Sequence, residues 1–157
     1  MLEDHEKTLV AAQGYTELGM FDDALGELDT LPGTALRNPT VIELRLGILM
    51  RARRWADALT VGRRLTSACP KQNLGYIHTA FCLHELGQTD EARAVLLTGP
   101  ETLHTEPTYH YNLACYECHL GNMDLARVHL DRSFQLDKKF REFAKIDPDL
   151  QALRKRE

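Results

Sequence analysis

Apolar residues recur along this chain at spacings of three and four. In one stretch Tyr111, Leu113, Ala114 and Leu120 form a first stripe, and Leu125, Ala126, Leu130 and Phe134 form a second. That is the period of an amphipathic helix, so the stretch predicts two helices. Gly121 lies between them, where a left-handed residue closes the first helix most easily. The pattern is not local. A step of 34 residues from Ala24 lands on Ala58, Ala92 and Ala126. The same step carries Gly19 to Arg53, Gly87 and Gly121, and Leu18 to Ala52, Leu86 and Leu120. Small, large and glycine columns each repeat in register without insertions, and four units follow: 5–38, 39–72, 73–106 and 107–140.

Each unit predicts a helical hairpin. The second helices open with acids (Asp22 and Asp23, Asp57, Asp90 and Glu91, Asp124), which the positive end of a helix dipole favours. They end near Pro32, Pro70 and Pro100, which cannot continue them. Pro32 comes four residues before the register of Pro70, so the second helix of unit one is expected to be short. No segment alternates as a strand does between turn signals, and the chain is predicted to be all-α. The repeated alanine has a steric reason: two helices that cross closely need a small side chain at the crossing. Larger neighbours such as Tyr15, Phe21, Leu49, Trp55 and Leu83 fill the adjoining space.

The period, together with LGMFDDAL at 18–25, LGQTDEA at 86–92 and YNLACY at 111–116, resembles the tetratricopeptide repeat (TPR) family over about 5–140. That resemblance implies a right-handed superhelical α-solenoid of four helix-turn-helix units with a C-terminal cap over 141–157. Stacked repeats need such an end cap. Phe140, Phe143, Ile146, Leu150 and Leu153 are expected to form its apolar stripe, and basic residues from Lys139 to Arg156 its wet face. Pro148 is expected to start a new helix. The ending is similar to that of small bacterial TPR proteins with a DPDL-type segment, which implies no known activity.

The resemblance also implies that the first helix of each unit lines an inner groove. Its columns fall on Leu9, Gln13, Thr16 and Glu17; Glu43, Gly47, Met50 and Arg51; Ile77, Phe81, His84 and Glu85; and Tyr111, Cys115, Cys118 and His119. Met50, Arg51, Ile77, Phe81, His84, Tyr111, Cys115, Cys118 and His119 are the candidate partner-binding residues, with Ile77, Phe81 and Tyr111 as apolar anchors. The competing reading is that Phe81 and Tyr111 pack between neighbouring first helices. TPR co-chaperones hold a C-terminal carboxylate with Lys, Arg and Asn in these columns. Here the columns carry Leu9, Glu43, Ile77 and Tyr111, then Gln13, Gly47, Phe81 and Cys115. Only Asn112 matches, so no carboxylate clamp is expected, and an apolar or amphipathic peptide suits the groove better.

Charge sharpens this reading. The chain of 157 residues carries a net charge of -4, a poor start for a general nucleic-acid binder. The charge is uneven: residues 1–38 hold eight acids and two bases, whereas 39–72 hold two acids and seven bases. Arg45, Arg51, Arg53, Arg54, Arg63 and Arg64 could meet an acidic partner or a nucleic-acid backbone. The favoured reading is that the acidic unit complements the basic one beside it. The first ten residues, MLEDHEKTLV, do not read as a secretory signal, and no run is apolar enough to span a membrane, so a cytoplasmic location with reduced thiols is expected.

Cys115, Cys118 and His119 lie at i, i+3 and i+4, with His84 one repeat before Cys118, which makes these four the candidate zinc ligands. A mid-helix C-x-x-C lacks the turn amides that usually support zinc thiolates, and buried packing is the favoured reading. No phosphate-binding glycine loop, nucleophile elbow or HExxH helix occurs, so neither catalysis nor a cofactor is expected. The sequence points to a scaffold or adaptor for a protein or peptide partner, compatible with self-association. The alternatives are a secretion-type TPR chaperone and an RNA-binding helical repeat, whose usual period of 35 and basic charge this chain does not share.

Overall fold

The chain turns where its glycine column predicts. In the computed structural model, which describes residues 2–155, Gly19, Gly87 and Gly121 have φ of +74°, +80° and +88°. Arg53 takes the same left-handed conformation at +57°. Each of these positions closes a helix with the same bond. The amide after it reaches back across the turn: Met20 to Tyr15 O, Arg54 to Leu49 O, Gln88 to Leu83 O and Asn122 to Glu117 O. A helix end leaves carbonyls without partners, and this contact supplies one.

The helices that result are α1 (Glu6–Glu17), α2 (Phe21–Asp29), α3 (Gly33–Leu36), α4 (Pro39–Arg51), α5 (Trp55–Ala68), α6 (Asn73–Glu85), α7 (Thr89–Leu97), α8 (Pro107–His119) and α9 (Met123–Leu136). A tail of α10 (Phe140–Ile146), a 3-10 turn (Pro148–Leu150) and α11 (Gln151–Arg154) follows. No strand occurs among the described residues. Local chemistry sets several starts. Pro39 and Pro107 stand at first turns, where a missing amide is harmless. The Asn38 side chain accepts from Thr40 N at 2.9 Å. As expected from Pro32, α2 stops at Asp29, nine residues long, and Pro32 then caps the short α3.

The chain divides into two compact units, Met1–Pro70 and Lys71–Glu157. In the first, α1 pairs with α2, α4 with α5, and α2 packs on α4. Ala12, Ala24 and Leu28 are fully enclosed, and Leu31 and Ala35 continue this core through α3. Two ion pairs join the acidic repeat to the basic one: Asp29 with Arg45 at 2.6 Å, and Asp22 with Arg54. This is the complementation expected from the charge pattern.

In the second unit α6 pairs with α7 and α8 with α9, while α8 also touches α6, α7 and the tail. Nine of its thirteen residues are buried as a result. A helix enclosed on most sides needs no polar stripe. Ala80, Ala92, Ala114 and Ala126 are fully enclosed at the crossings.

The tail departs from its expected pattern. Leu150 and Leu153 are buried and Phe140 is half-buried, but Phe143 and Ile146 stand exposed. The five residues do not form one stripe, because α10 ends at Ile146 and Asp147 is extended (φ -68°, ψ 120°). The helical register restarts at Pro148, and Leu150 and Leu153 follow that new register. Arg154 ties the break together, donating to Ala144 O at 2.7 Å and Asp147 O at 2.8 Å. Arg156, counted in the basic face, lies outside the described residues.

Candidate protein-binding site

Three candidate residues of repeats three and four, His84, Tyr111 and Cys115, meet the chain's own tail in the second unit. The Tyr111 hydroxyl donates to Asp147 Oδ2 at 2.7 Å, and the Cys115 thiol points at the same oxygen at 3.9 Å. The other Asp147 oxygen accepts from Asp149 N at 2.9 Å, which holds the turn closed. From α6, His84 Nε2 lies 3.1 Å from Asp149 Oδ2, and its Nδ1 lies 2.9 Å from Thr89 Oγ1. Phe140 packs on the Tyr111 ring, with centroids 5.0 Å apart. Leu150 is 1% exposed and lies beside Leu130 and Phe134 of α9 and Leu153 of the tail. Tyr111, Cys115 and Cys118 are buried, and the His84 side chain nearly so.

The electrostatics follow from this enclosure. Burial, with the Asp147 hydrogen bond, pushes the Tyr111 hydroxyl up, and burial beside Asp147 and Asp149 pushes the Cys115 thiol up. The hydrogen bond from His84 holds the Asp149 carboxyl below its usual range, against the opposing effect of burial. The clasp thus sets two aspartates against the O–H of Tyr111, the S–H of Cys115 and the imidazole of His84.

The remaining candidates lie elsewhere. His119 is exposed, with its ring 5.4 Å from that of His84. Cys118 turns toward Met123 Sδ at 3.8 Å, away from Asp147. Ile77 and Phe81 are half-buried on α6. Ile77 lines a cavity of about 520 Å³ with His78, Asn73, Glu106 and Thr108. In the first unit Met50 is half-buried and Arg51 exposed, while Thr16 is buried with its hydroxyl donating to Ala12 O at 2.6 Å.

The four zinc candidates do not converge as a set. Among the described residues, the potential ligands that do converge are Cys115, Asp147 and Asp149, with ligand atoms within 4.8 Å of one another. Their chemistry suits the clasp better than zinc, which takes a thiolate, whereas this thiol is held protonated. All four cysteines are free.

One residue of consequence escaped the periodic reading. Glu117 is 2% exposed. Its carboxylate accepts from Arg93 at 3.2 Å and from Asn122 Nδ2 at 2.8 Å, tying α7, α8 and the α8–α9 turn together. The signal was present: Glu117 occupies the column that holds Tyr15, Leu49 and Leu83 in the other repeats. A second such feature is His110, whose Nδ1 faces His129 Nδ1 at 3.3 Å and whose Nε2 donates to His104 O at 2.8 Å. Burial lowers the proton affinity of both rings.

No known family profile matches the chain, and no curated protein matches it. Solved structures do. A crystal structure of MamA protein is similar over 99% of this chain and 87% of that one, at 15% identity and a TM-score of 0.77. MamA 41-end from Desulfovibrio magneticus RS-1 is similar over 85% and 75%, at 15% identity and 0.74. MamA MSR-1 C2 is similar over 84% and 76%, at 19% identity and 0.69. The chain has the TPR solenoid fold. At these identities the likeness establishes that fold and nothing of the partner. In TPR terms, the clasp sits on first-helix positions of repeats three and four. No described helix is long and apolar enough to cross a membrane.

Proposed function

We propose that this TPR protein is an interaction scaffold that receives peptide segments of partner proteins on the inner faces of its first helices. One observation supports this most directly. Three candidate first-helix residues of the second unit, Tyr111, Cys115 and His84, already hold the segment Asp147–Asp149 through directional side-chain contacts. A surface that orders one segment this way has the donors that recognition of another requires.

The binding residues in this reading are Met50 and Arg51 in the first unit. In the second they are Ile77, Phe81, His84, Tyr111, Cys115, Cys118 and His119. Ile77 and Phe81 carry the apolar share, and no carboxylate clamp is involved. The reading needs no cofactor and no catalytic step, and it places the protein in the cytoplasm. An RNA-binding role gains no support from the arginine block, because Arg45 and Arg54 are engaged by Asp29 and Asp22.

The test is capture from the native cell by full-length protein, with Ile77→Ala and Phe81→Ala variants checked for unchanged helicity by circular dichroism. Loss of captured proteins with the fold intact is expected. Equal capture by the variants would refute the assignment of these residues.

A further inference from the structure

The tail clasp is a ligand supplied in cis, and its chemistry describes a ligand supplied in trans. We infer that the inner face of the second unit is a receptor for an acidic turn of the pattern Asp-Pro-Asp-Leu in a partner protein, and that residues 147–153 occupy this receptor until such a segment displaces them. The inference rests on the scaffold reading above and names its ligand.

Each element of that pattern has a matching partner. The first aspartate is read twice, by the Tyr111 hydroxyl at 2.7 Å and the Cys115 thiol at 3.9 Å, while its other oxygen closes the turn on Asp149 N. Proline fixes the first position of the turn, where no amide is required. The second aspartate is read by His84 from a different helix, 65 residues away in sequence. The leucine is enclosed almost completely. Two carboxylates at fixed spacing meet three donors on two helices, so the face discriminates against a segment that lacks either one. An unmatched donor at a buried site loses its partner without regaining water.

The segment is also set off from the helix before it. The helical register breaks on its N-terminal side at Asp147, after an α10 whose Phe143 and Ile146 are exposed. Attached in cis, such a segment acts at an effective concentration on the order of millimolar. A free peptide at micromolar concentration therefore fails against the intact clasp and succeeds once the clasp is weakened. Cys115 reports the state independently, because its thiol touches Asp147 when the segment is seated.

The experiment uses the full chain and a fluorescent peptide, KIDPDLQALRK, corresponding to residues 145–155. Peptide anisotropy is titrated against wild type, Asp149→Asn and Leu150→Ala, and alkylation of Cys115 by iodoacetamide is followed by mass spectrometry. We expect at least tenfold tighter peptide binding by each variant than by wild type. Cys115 should alkylate faster in the variants and be protected again by peptide. Binding should fall at least tenfold when Tyr111→Phe and His84→Gln are added, or when both peptide aspartates become asparagine.

Faster alkylation of Cys115 without tighter peptide binding would overturn the receptor. Unchanged alkylation together with unchanged binding would overturn the assigned clasp contacts. A variant that dimerises by sedimentation and ignores added peptide would give the seat to a second copy and overturn the partner assignment. These outcomes are separable from failure of the scaffold reading, which is read at Ile77 and Phe81 by capture.

Discussion

Arg53→Gly should stabilise the protein. Arg53 occupies the column that holds glycine in the other three repeats, and its φ of +57° matches theirs. A side chain in this conformation brings Cβ against the following carbonyl and costs about 1–2 kcal/mol. Glycine removes that cost but gives the unfolded chain more freedom, which offsets about 0.4–1 kcal/mol. The net expectation is a gain of about 0.5–1 kcal/mol. No lost contact opposes it, because the Arg53 side chain is exposed, and its own amide bond to Met50 O at 3.0 Å is a backbone contact that glycine keeps. For a chain of this size, that gain corresponds to a rise in Tm of roughly 1–4 °C. The assay is paired thermal and urea unfolding by circular dichroism, with Gly87→Ala as the converse variant. Gly87→Ala should destabilise by about 1 kcal/mol, since φ is +80° there. A neutral or destabilising Arg53→Gly, alongside a destabilising Gly87→Ala, would show that the strain at Arg53 is compensated and refute the reasoning.

Further outcomes follow from the second unit. Glu117→Ala should cost about 2–3 kcal/mol, because it removes a buried carboxylate on which Arg93 and Asn122 depend; urea unfolding measures it. Tyr111→Phe should cost about 1–3 kcal/mol, because it leaves a part-buried Asp147 oxygen without its donor, and should speed alkylation of Cys115. His78, His110 and His129 all hold protons less readily when folded than when unfolded, mainly through burial. The unfolded chain therefore takes up protons first as pH falls through about 6.5, and stability should decline from there downward. Unfolding at pH 7 and pH 5.5 tests this, and His129→Gln should weaken the dependence. Asp149 has the carboxylate sign: its contribution is present above about pH 4 and is lost as pH falls through its depressed folded value, so the tail should loosen in acid.

How far the sequence carried these conclusions varies by type of interaction. The hairpins were legible because each rests on a column: alanine at the crossing, glycine after the first helix, an acid opening the second. Even the exception at Arg53 shows in the sequence, as the one break in the glycine column. The charge complementation was legible in sign, though not in which arginine meets which aspartate. What could not be read was pairing at long range. Tyr111 meets Asp147 across 36 residues and His84 meets Asp149 across 65. Neither pair has a repeat equivalent, because the tail lies outside the periodic part. Tyr111 and Cys115 stand out in the sequence only as first-helix positions, and nothing local indicates that the tail would cover them. The cap stripe failed for a related reason: periodicity was extended through Asp147-Pro148, where the backbone is extended and the register restarts.

The ion pairs of the first unit bear on how such an array could be rearranged. Exposed pairs of this kind add little to stability, about 0–1 kcal/mol each. Their effect is on order. Stepping Arg45 and Arg54 forward by one repeat gives Thr79 and Gln88, and by two gives Leu113 and Asn122. Repeat two is therefore the one fitted to follow the acidic repeat one. A chain with its repeats shuffled would keep every hairpin, every alanine crossing and every cap, yet Asp22 and Asp29 would face neutral neighbours. The charges work as an address written onto otherwise interchangeable modules, and they record the sequence in which those modules belong.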